Sequence, residues 1–339
     1  MLWYKVGLLG IAWAQIAGGW SYDFLHIAPT ARSAALAGIA FPGDSDPASA
    51  TQNPALLRPT AHRFFHLTLQ PYLADILHSV LTYTYDRPTL GTFWAGLQYM
   101  GYGEFRRTDE VGNSYGTFSA YEGALMGGIV RHFGKWHAGM NLKLPFSLLG
   151  VESYHRFGIA TDIGILYEDT SKGIAATFLL RSAGTELYRT RARSFSQPFP
   201  TTLQTTFSYR VPHAPFRVHI GIIHLERWRM AFNDPLQPVR YDLSGNLLAP
   251  PPPKWTEHLF RHFIVGVEML PEKLITLRTA YHVQRRRELN PKGTTSFGGM
   301  SFGIGIKGGQ WRLDYAYSLF FTRAGAHTIS LAVRPFRAS

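Results

Sequence analysis

Trp136-His137-Ala138-Gly139-Met140-Asn141-Leu142-Lys143-Leu144 and, a short interval later, Arg156-Phe157-Gly158-Ile159-Ala160-Thr161-Asp162-Ile163-Gly164-Ile165 are the stretches whose reading decides the fold. In the first, Trp136, Ala138, Met140, Leu142 and Leu144 alternate with His137, Gly139, Asn141 and Lys143. In the second, Phe157, Ile159, Thr161, Ile163 and Ile165 alternate with Arg156, Gly158, Ala160, Asp162 and Gly164. Successive strand side chains point to opposite faces, so each stretch reads as a strand with one apolar face and one polar or glycine face. The same pattern returns at 275–282, 301–307 and 328–334. A two-sheet sandwich gives this alternation as readily as a barrel, so periodicity alone leaves both open.

Working outward, the chain reads as about fourteen strands of roughly 8–12 residues, close to the length of a tilted membrane-spanning strand. Their cores fall near 62–70, 77–85, 90–100, 119–132, 135–146, 155–167, 173–182, 201–210, 216–225, 259–269, 274–283, 297–307, 310–318 and 325–336. The connections differ systematically. Asp86–Thr89, Phe133-Gly134, Asp169–Lys172, Pro212–Pro215, Leu270–Lys273 and Gly308-Gly309 are tight, whereas Gly101–Ser119, Ala183–Pro200, Glu226–His258 and Gln284–Ser296 are long. Tight and long connections alternate. A sandwich has no reason to gather its long loops at one end, but an outer-membrane barrel does: short periplasmic turns, longer extracellular loops and an even strand number. The expected fold is therefore all-β, an outer-membrane antiparallel β-barrel of about fourteen strands, with both termini periplasmic and Phe336 in the closing aromatic girdle.

Composition agrees. Of 339 residues, 45% are hydrophobic and only 17% charged, with 14% aromatic residues and 33 glycines. Low charge with many aromatics excludes disorder. A mean hydropathy of -0.08, with one short apolar run at the N-terminus, excludes a helical membrane protein. No cysteine is present, which removes disulfides, thiolate metal sites, cysteine nucleophiles and lipoprotein acylation together. Net charge is +12 and the pI about 9.9, so an anionic partner is expected.

The N-terminus reads as a signal peptide over 1–14: Lys5 is its positive end, Val6–Ala14 its apolar stretch and Ala12-Trp13-Ala14 its cleavage site, with an alternative cut near Ala17. A buried N-terminal helix is the competing reading. Residues 15–61, rich in small residues and containing Asp44-Ser45-Asp46-Pro47, precede the first strand. A fourteen-strand barrel is too wide for side chains alone to fill, so this segment is expected to plug the lumen, with 62–339 forming the barrel.

Particular residues now carry a resemblance. Ala31-Arg32-Ser33-Ala34-Ala35-Leu36-Ala37-Gly38 followed by Asn53-Pro54-Ala55-Leu56-Leu57 resembles the N-terminal hatch of the PorV/PorQ family, outer-membrane components of the type IX secretion system that are similar in turn to FadL-type transporters of hydrophobic compounds. Segments 98–110, 213–217, 225–228, 261–268, 284–289 and 312–315 resemble the PorQ branch in order along the chain. Ala37-Gly38, where two glycines are expected, and the run Pro250–Pro253 depart from that pattern. The resemblance implies a non-enzymatic barrel that anchors a PorZ-like surface protein, with the PorU sortase and PorV, in a complex that processes secreted cargo and links it to anionic lipopolysaccharide. The FadL-like alternative is transport of hydrophobic compounds across the outer membrane.

Candidate sites follow. The hatch motif consists of Arg32, Gly38, Asn53 and Pro54. Proline holds the preceding residue extended, and an asparagine amide satisfies nearby backbone groups, so Asn53-Pro54 reads as a stiff corner or as part of a moving gate. Arg106, Arg107, Arg189, Arg191, Arg193, Arg227, Arg229, Arg285, Arg286 and Arg287, with Arg240, fall in the long connections. Guanidinium forks match phosphate and carboxylate oxygens, so these arginines read either as a docking site for lipopolysaccharide or an acidic partner, or as a solvated rim facing outer-leaflet phosphates. Asp44, Asp46 and Asn53 suit a hatch turn or a hard-cation site. His62 with His66, and His258 with His262, share an i, i+4 spacing that does not make one helical face on strands. Pro250–Pro253 reads as a stiff spacer in the longest loop. No catalytic, metal or cofactor motif is present, and no nucleic-acid-binding module appears.

Overall fold

The computed structural model describes residues 20–43, 46–72, 75–109, 111–149, 155–190, 197–231, 240–241, 247–248, 252–271, 273–289, 297–320 and 325–335. The signal-peptide reading, Asp44, Arg191, Arg193, Pro250, Pro251 and Phe336 lie outside these residues.

Fourteen strands close into one antiparallel barrel. In chain order they are β1 (Phe65–Pro71), β2 (Leu77–Arg87), β3 (Gly91–Thr108), β4 (Ser114–Phe133), β5 (Trp136–Leu149), β6 (His155–Asp169), β7 (Ile174–Arg189), β8 (Thr202–Arg210) and β9 (Phe216–Ile222). After a two-residue pair, β10 (Arg240–Tyr241) and β11 (Leu247–Leu248), the barrel resumes with β12 (Phe263–Met269), β13 (Ile275–His282), β14 (Met300–Lys307), β15 (Trp311–Leu319) and β16 (Gly325–Val333). Each barrel strand pairs with its sequence neighbours, β9 pairs with β12, and β1 pairs with β16. Closure leaves no open edge.

The alternation is realised as expected. Along β1 the pattern of exposure and burial is strictly alternate, with Phe65, Leu67 and Leu69 outside and His66, Thr68 and Gln70 inside. Every barrel strand places at least one large apolar side chain on the exterior, which is the lipid-facing surface of an integral outer-membrane barrel. Aromatic pairs sit towards both rims: Trp136–Tyr167 at 5.0 Å towards the tight turns and Tyr99–Tyr121 at 6.2 Å towards the other end. Among the described residues no helix is long and apolar enough to cross a membrane.

Two expectations change. Gly101–Ser119 was expected as a long loop, but β3 and β4 run on for 18 and 20 residues, past the roughly 9–11 that a bilayer needs. A register shift lies between Gly101 and Glu104, where Gly103 takes φ +82°. Beyond the membrane both faces of a strand are wet, so the apolar alternation stops while backbone pairing continues. Likewise β7 extends to Arg189 through what was expected to be connection. The long-loop end also carries two short helices, α2 (Trp255–Arg261) and α3 (Val283–Leu289); α2 takes the first residues of the strand expected at 259–269, which starts instead at Phe263, and α3 fills the start of the connection expected at 284–296.

Residues 20–43 and 46–64 lie in the barrel as a series of 3-10 turns around a short helix, α1 (Ala31–Ala35). Thr30 caps α1: its Oγ1 accepts from the Ser33 amide at 3.0 Å, while its own amide donates to Ser33 Oγ at 3.3 Å, a reciprocal box. The helix ends through two left-handed residues, Ala37 at φ +61° and Gly38 at φ +93°, with the Gly38 amide donating to Ser33 O at 2.8 Å. Ala37 carries the steric cost of a Cβ in this left-handed conformation, which a glycine would not.

Candidate functional site: a plugged lumen and a long-loop rim

The interior begins with glycine. Gly139 and Gly164 face each other across β5 and β6. A Cβ on Gly139 would come within 2.8 Å of Pro54 Cβ, and one on Gly164 within 2.4 Å of Asn53 Oδ1. The Asn53-Pro54-Ala55 corner therefore sits in a dimple that only glycine permits. Asn53 is extended, at φ -138° and ψ 104°, as the following proline requires, and its Oδ1 accepts from the Ala55 amide at 3.1 Å. Gly303 makes a second notch, where a Cβ would lie 2.4 Å from Ala35 Cβ. Alanines on α1 and glycines on the wall let two backbones approach closely.

Polar wall residues then tie down hatch backbone around the circumference. Gln98 Nε2 donates to Phe24 O at 2.7 Å and Asn141 Nδ2 to Ala50 O at 2.6 Å. Ser208 Oγ donates to Pro42 O at 3.2 Å and Ser318 Oγ to Ala34 O at 3.0 Å, while Ser330 Oγ accepts from the Ala31 amide at 2.7 Å. Arg181 donates to Leu25 O. These strand side chains satisfy backbone groups that a turn-rich plug cannot pair within itself.

The strongest tie is ionic. Glu268 on β12 stands directly opposite Arg278 on β13 and Arg217 on β9. Arg32 of the hatch reaches it from the lumen, with Nε at 3.0 Å and Nη2 at 3.2 Å from the two carboxylate oxygens. Arg278 Nε lies at 3.0 Å, Arg217 Nη1 at 3.2 Å and His219 Nε2 at 3.2 Å. Arg278 also donates to Asp314 at 2.7 Å, and Arg312 pairs with the same carboxylate. Arg32 and Glu268 are 2% and 0% exposed, so this cluster lies wholly out of water. Arg32 Nη1 closes the hatch on itself by donating to Phe41 O at 2.9 Å. A second buried group, Lys143–Asp162 at 2.8 Å, with Asn141 on the same carboxylate at 2.8 Å, supports the opposite wall beside Trp94, whose Nε1 donates to Asn141 Oδ1 at 2.9 Å.

Of the hatch residues read from sequence, Arg32 thus meets Glu268, Gly38 ends α1, and Asn53 with Pro54 fills the glycine dimple. Asp46 caps a turn, its Oδ1 accepting from the Ala48 amide at 3.1 Å. The wall partners Glu268, Arg217, Arg278 and Asp314 were not read as site residues, although one signal existed: an acid, Glu268, ends the inward set Ile264, Gly266, Glu268 of β12. The spaced histidines serve structure. His62 Nδ1 accepts from the Asp86 amide at 3.0 Å, His258 Nδ1 accepts from the Met230 and Ala231 amides at 3.1 and 3.0 Å, and His262 stacks on Trp228 at 5.6 Å.

The rim arginines divide. Arg227 and Arg229, with α2 and α3, gather on one side, where Arg261 of α2 meets Glu288 of α3 at 3.3 Å. There Trp228, Trp255 and Phe260 are exposed, as are Arg229 and Arg287. Arg285 instead turns inward: it lies 4.7 Å over the Phe320 ring, and burial pushes its guanidinium down to about 10. Arg106 and Arg107 lie on β3, not in a loop, with Arg107 5.9 Å over Phe118, and Arg189 pairs with Glu186 on β7. Arg106 and Arg107 stand several strands away from the helical side in the barrel order, whereas Arg189 is separated from it by β8 alone.

No protein-family model matches this chain, and no curated protein matches it. Solved structures do. A TodX monoaromatic hydrocarbon channel lacking parts called S2 and S3 is similar at a TM-score of 0.49 and 14% identity, covering 90% of this chain and 97% of that one. The CymD monoaromatic hydrocarbon channel is similar at a TM-score of 0.46 and 12% identity, covering 92% and 97%. A triple-mutant porin of Rhodopseudomonas blastica is similar at 0.28 and 10%, covering 80% and 97%. Likeness at these levels carries nothing about cargo or partners. By its own strand order and interior, the chain is an outer-membrane barrel of fourteen antiparallel strands closed around the chain's N-terminal segment.

Proposed function

We propose that this barrel is a non-enzymatic anchor at the outer membrane, holding a surface partner on its long-loop rim. The PorQ-type resemblance gives the setting: a PorZ-like protein, the PorU sortase and PorV in the type IX attachment complex, working on cargo and anionic lipopolysaccharide. The observation that carries the reading is the filled lumen. Hatch residues such as Ala31, Leu36, Phe41 and Ala55 are fully buried, and wall side chains from β3, β5, β7, β8, β15 and β16 bind hatch backbone directly. A barrel built to pass solute has little use for a plug held from so many sides. In this reading the tight turns and both termini face the periplasm and the rim faces outward, so the exposed Trp228, Trp255 and Phe260 with Arg229 and Arg287 form a surface of the residue types that dominate binding hot spots.

The test is affinity purification of the tagged protein from its own outer membrane after cross-linking, with co-purifying proteins identified by mass spectrometry. Recovery of a PorZ-like protein with the sortase is expected. A clean barrel with no partner sinks the anchoring reading.

A second reading is a channel for hydrophobic compounds, as TodX and CymD are for monoaromatic hydrocarbons. One observation favours it. An apolar cluster of Tyr22, Phe24, Leu25, Trp94, Met100 and Phe199 underlies the rim, beside a break in register between Thr161 and Ile163 on the β6–β7 wall. Uptake of a hydrophobic dye into liposomes carrying the purified barrel supports this reading; no uptake above empty liposomes removes it.

A further inference from the structure

Three neighbouring hairpins at the tight-turn end enclose a cavity of about 360 Å³. They are the turns between β6 and β7, β8 and β9, and β12 and β13, which are consecutive around the barrel. Their backbones are joined to each other. The Arg210 amide donates to Gly173 O at 2.8 Å, and the Leu270 amide donates to Pro215 O at 2.8 Å. The cavity is thus a fixed product of three turns.

Its lining is cationic. Lys172, Arg210 and Lys273 contribute to it, one from each turn. The nearest acid of the described residues is already engaged: Asp169 pairs with Lys135 Nζ at 2.7 Å and accepts from the Ser171 and Lys172 amides at 3.2 and 3.4 Å. Among the described residues no carboxylate pairs with the ammonium groups of Lys172 or Lys273, and both residues are exposed. Directly beside these cations the barrel exterior is apolar, with Phe216, Leu270, Leu274 and Ile275 exposed.

A cationic cavity opening onto a lipid-facing apolar shelf has the two-part chemistry of one ligand class. We infer that this cavity binds the phosphate headgroup of an anionic phospholipid, with the acyl chains lying along Phe216, Leu274 and Ile275. Lysine and arginine neutralise the phosphate, and the hairpin tips place them at headgroup depth, as basic pockets do in other membrane proteins. The choice of phospholipid over lipopolysaccharide rests on the orientation proposed above, since the periplasmic leaflet is the phospholipid one; the cavity itself does not.

The test uses the full chain purified in a neutral detergent. Dioleoyl phosphatidylglycerol or dioleoyl phosphatidylcholine is titrated in, and bound lipid is read by native mass spectrometry. Retention of phosphatidylglycerol over phosphatidylcholine is expected. K172Q/K273Q should weaken it by roughly thirtyfold, two surface cations' worth. K307Q, an exposed lysine at the same end outside the cavity, should leave it unchanged. Glycerol 3-phosphate should not compete at equal concentration. Equal retention of the two lipids, no loss in K172Q/K273Q, equal loss in K307Q, or equal binding of glycerol 3-phosphate each overturns the inference. Heat-shift on gels confirms that every variant is folded. The leaflet is tested apart, by labelling G309C in the β14–β15 turn: reaction in intact cells, before permeabilisation, overturns the phospholipid assignment whatever the partner experiment shows.

Discussion

Removing the Glu268 carboxylate should release the hatch while the barrel stands. In E268A, Arg32 loses both carboxylate contacts, at 3.0 and 3.2 Å. Arg278 loses one at 3.0 Å and Arg217 one at 3.2 Å. Arg32 and Arg278 are each 2% exposed, so water cannot replace what is lost. Breaking a buried ion pair from one side costs about 3–5 kcal/mol, because the remaining charges stay desolvated. Arg278 keeps Asp314 at 2.7 Å, which confines most of that cost to the hatch side. If the cost falls on the equilibrium between a seated and a displaced hatch, the displaced population rises by roughly two to nearly four powers of ten. The chain has no cysteine, so a single S49C, buried beneath the hatch turns, reports that population through its labelling rate with a water-soluble maleimide. R32Q gives the companion measurement: it leaves Glu268 with Arg217, Arg278 and His219, so a smaller acceleration is expected, and it serves alone if E268A does not assemble. Wild-type labelling rates in both variants, with the barrel folded by heat-shift, would refute the claim that this cluster seats the plug.

Further outcomes are expected. G164V should speed S49C labelling, because a Cβ at Gly164 lies 2.4 Å from Asn53 Oδ1 and overpacking of this kind costs about 1–3 kcal/mol. A37G should raise the urea midpoint of the barrel by an amount equal to about 0.5–1 kcal/mol, since Ala37 sits at φ +61° and the relief of left-handed strain exceeds the added freedom of the unfolded chain; a lower midpoint would contradict the strain argument. At the rim, R229E/R287E should reduce recovery of the surface partner without affecting assembly, whereas R285E should loosen α3 from Phe320 and increase proteolysis there; equal effects of the two variants would show that the inward turn of Arg285 is irrelevant. Glu226 lies outside the strands. Burial raises its carboxyl, but the His224 contact and the Leu203 amide outweigh this and hold it below its ordinary value. A depressed folded pKa stabilises above the unfolded value and is lost as pH falls through the folded one. Hydrogen exchange at the Leu203 amide, which donates to Glu226 at 2.7 Å, should therefore be slow at neutral pH and quicken on acidification below the ordinary carboxylate range, after correction for intrinsic rates, and not in E226Q.

The spanning strands were legible because the bilayer imposes a period on one face of each. The strand expected at 274–283 is found at Ile275–His282, and the one at 310–318 at Trp311–Leu319. Legibility stopped where that constraint stops. Above the membrane β3 and β4 continue as paired backbone with exposed Glu104 and Arg106, and nothing in the side-chain pattern separates such a strand from a loop. The helices α2 and α3 were hidden for a related reason. They bury no side chain fully and are held by polar contacts such as His258 with the Met230 and Ala231 amides, which leave no periodic mark. Ala37-Gly38 was visible as a departure from the hatch this segment resembles, but only the two positive φ angles say what an alanine there costs.

The inward face contains more information than its polarity. A water-filled lumen and a plugged one both accept Arg, Asp, Lys and Ser, so polar alternation cannot tell them apart. Glycine can. A water-filled wall gains nothing from lacking a Cβ at inward positions, since water fills whatever space a side chain leaves. A wall pressed against a plug needs gaps shaped to particular hatch residues, and Gly139, Gly164 and Gly303 supply them for Pro54, Asn53 and Ala35. A Cβ on Gly221 or Gly266 would crowd Phe41 at 3.1 Å or Leu36 at 3.2 Å, along the same line of wall as Glu268. Glycine at five inward positions, each answered by a named hatch side chain, therefore argues for a plug shaped to one seat against this wall, a fit that water in the lumen would not require.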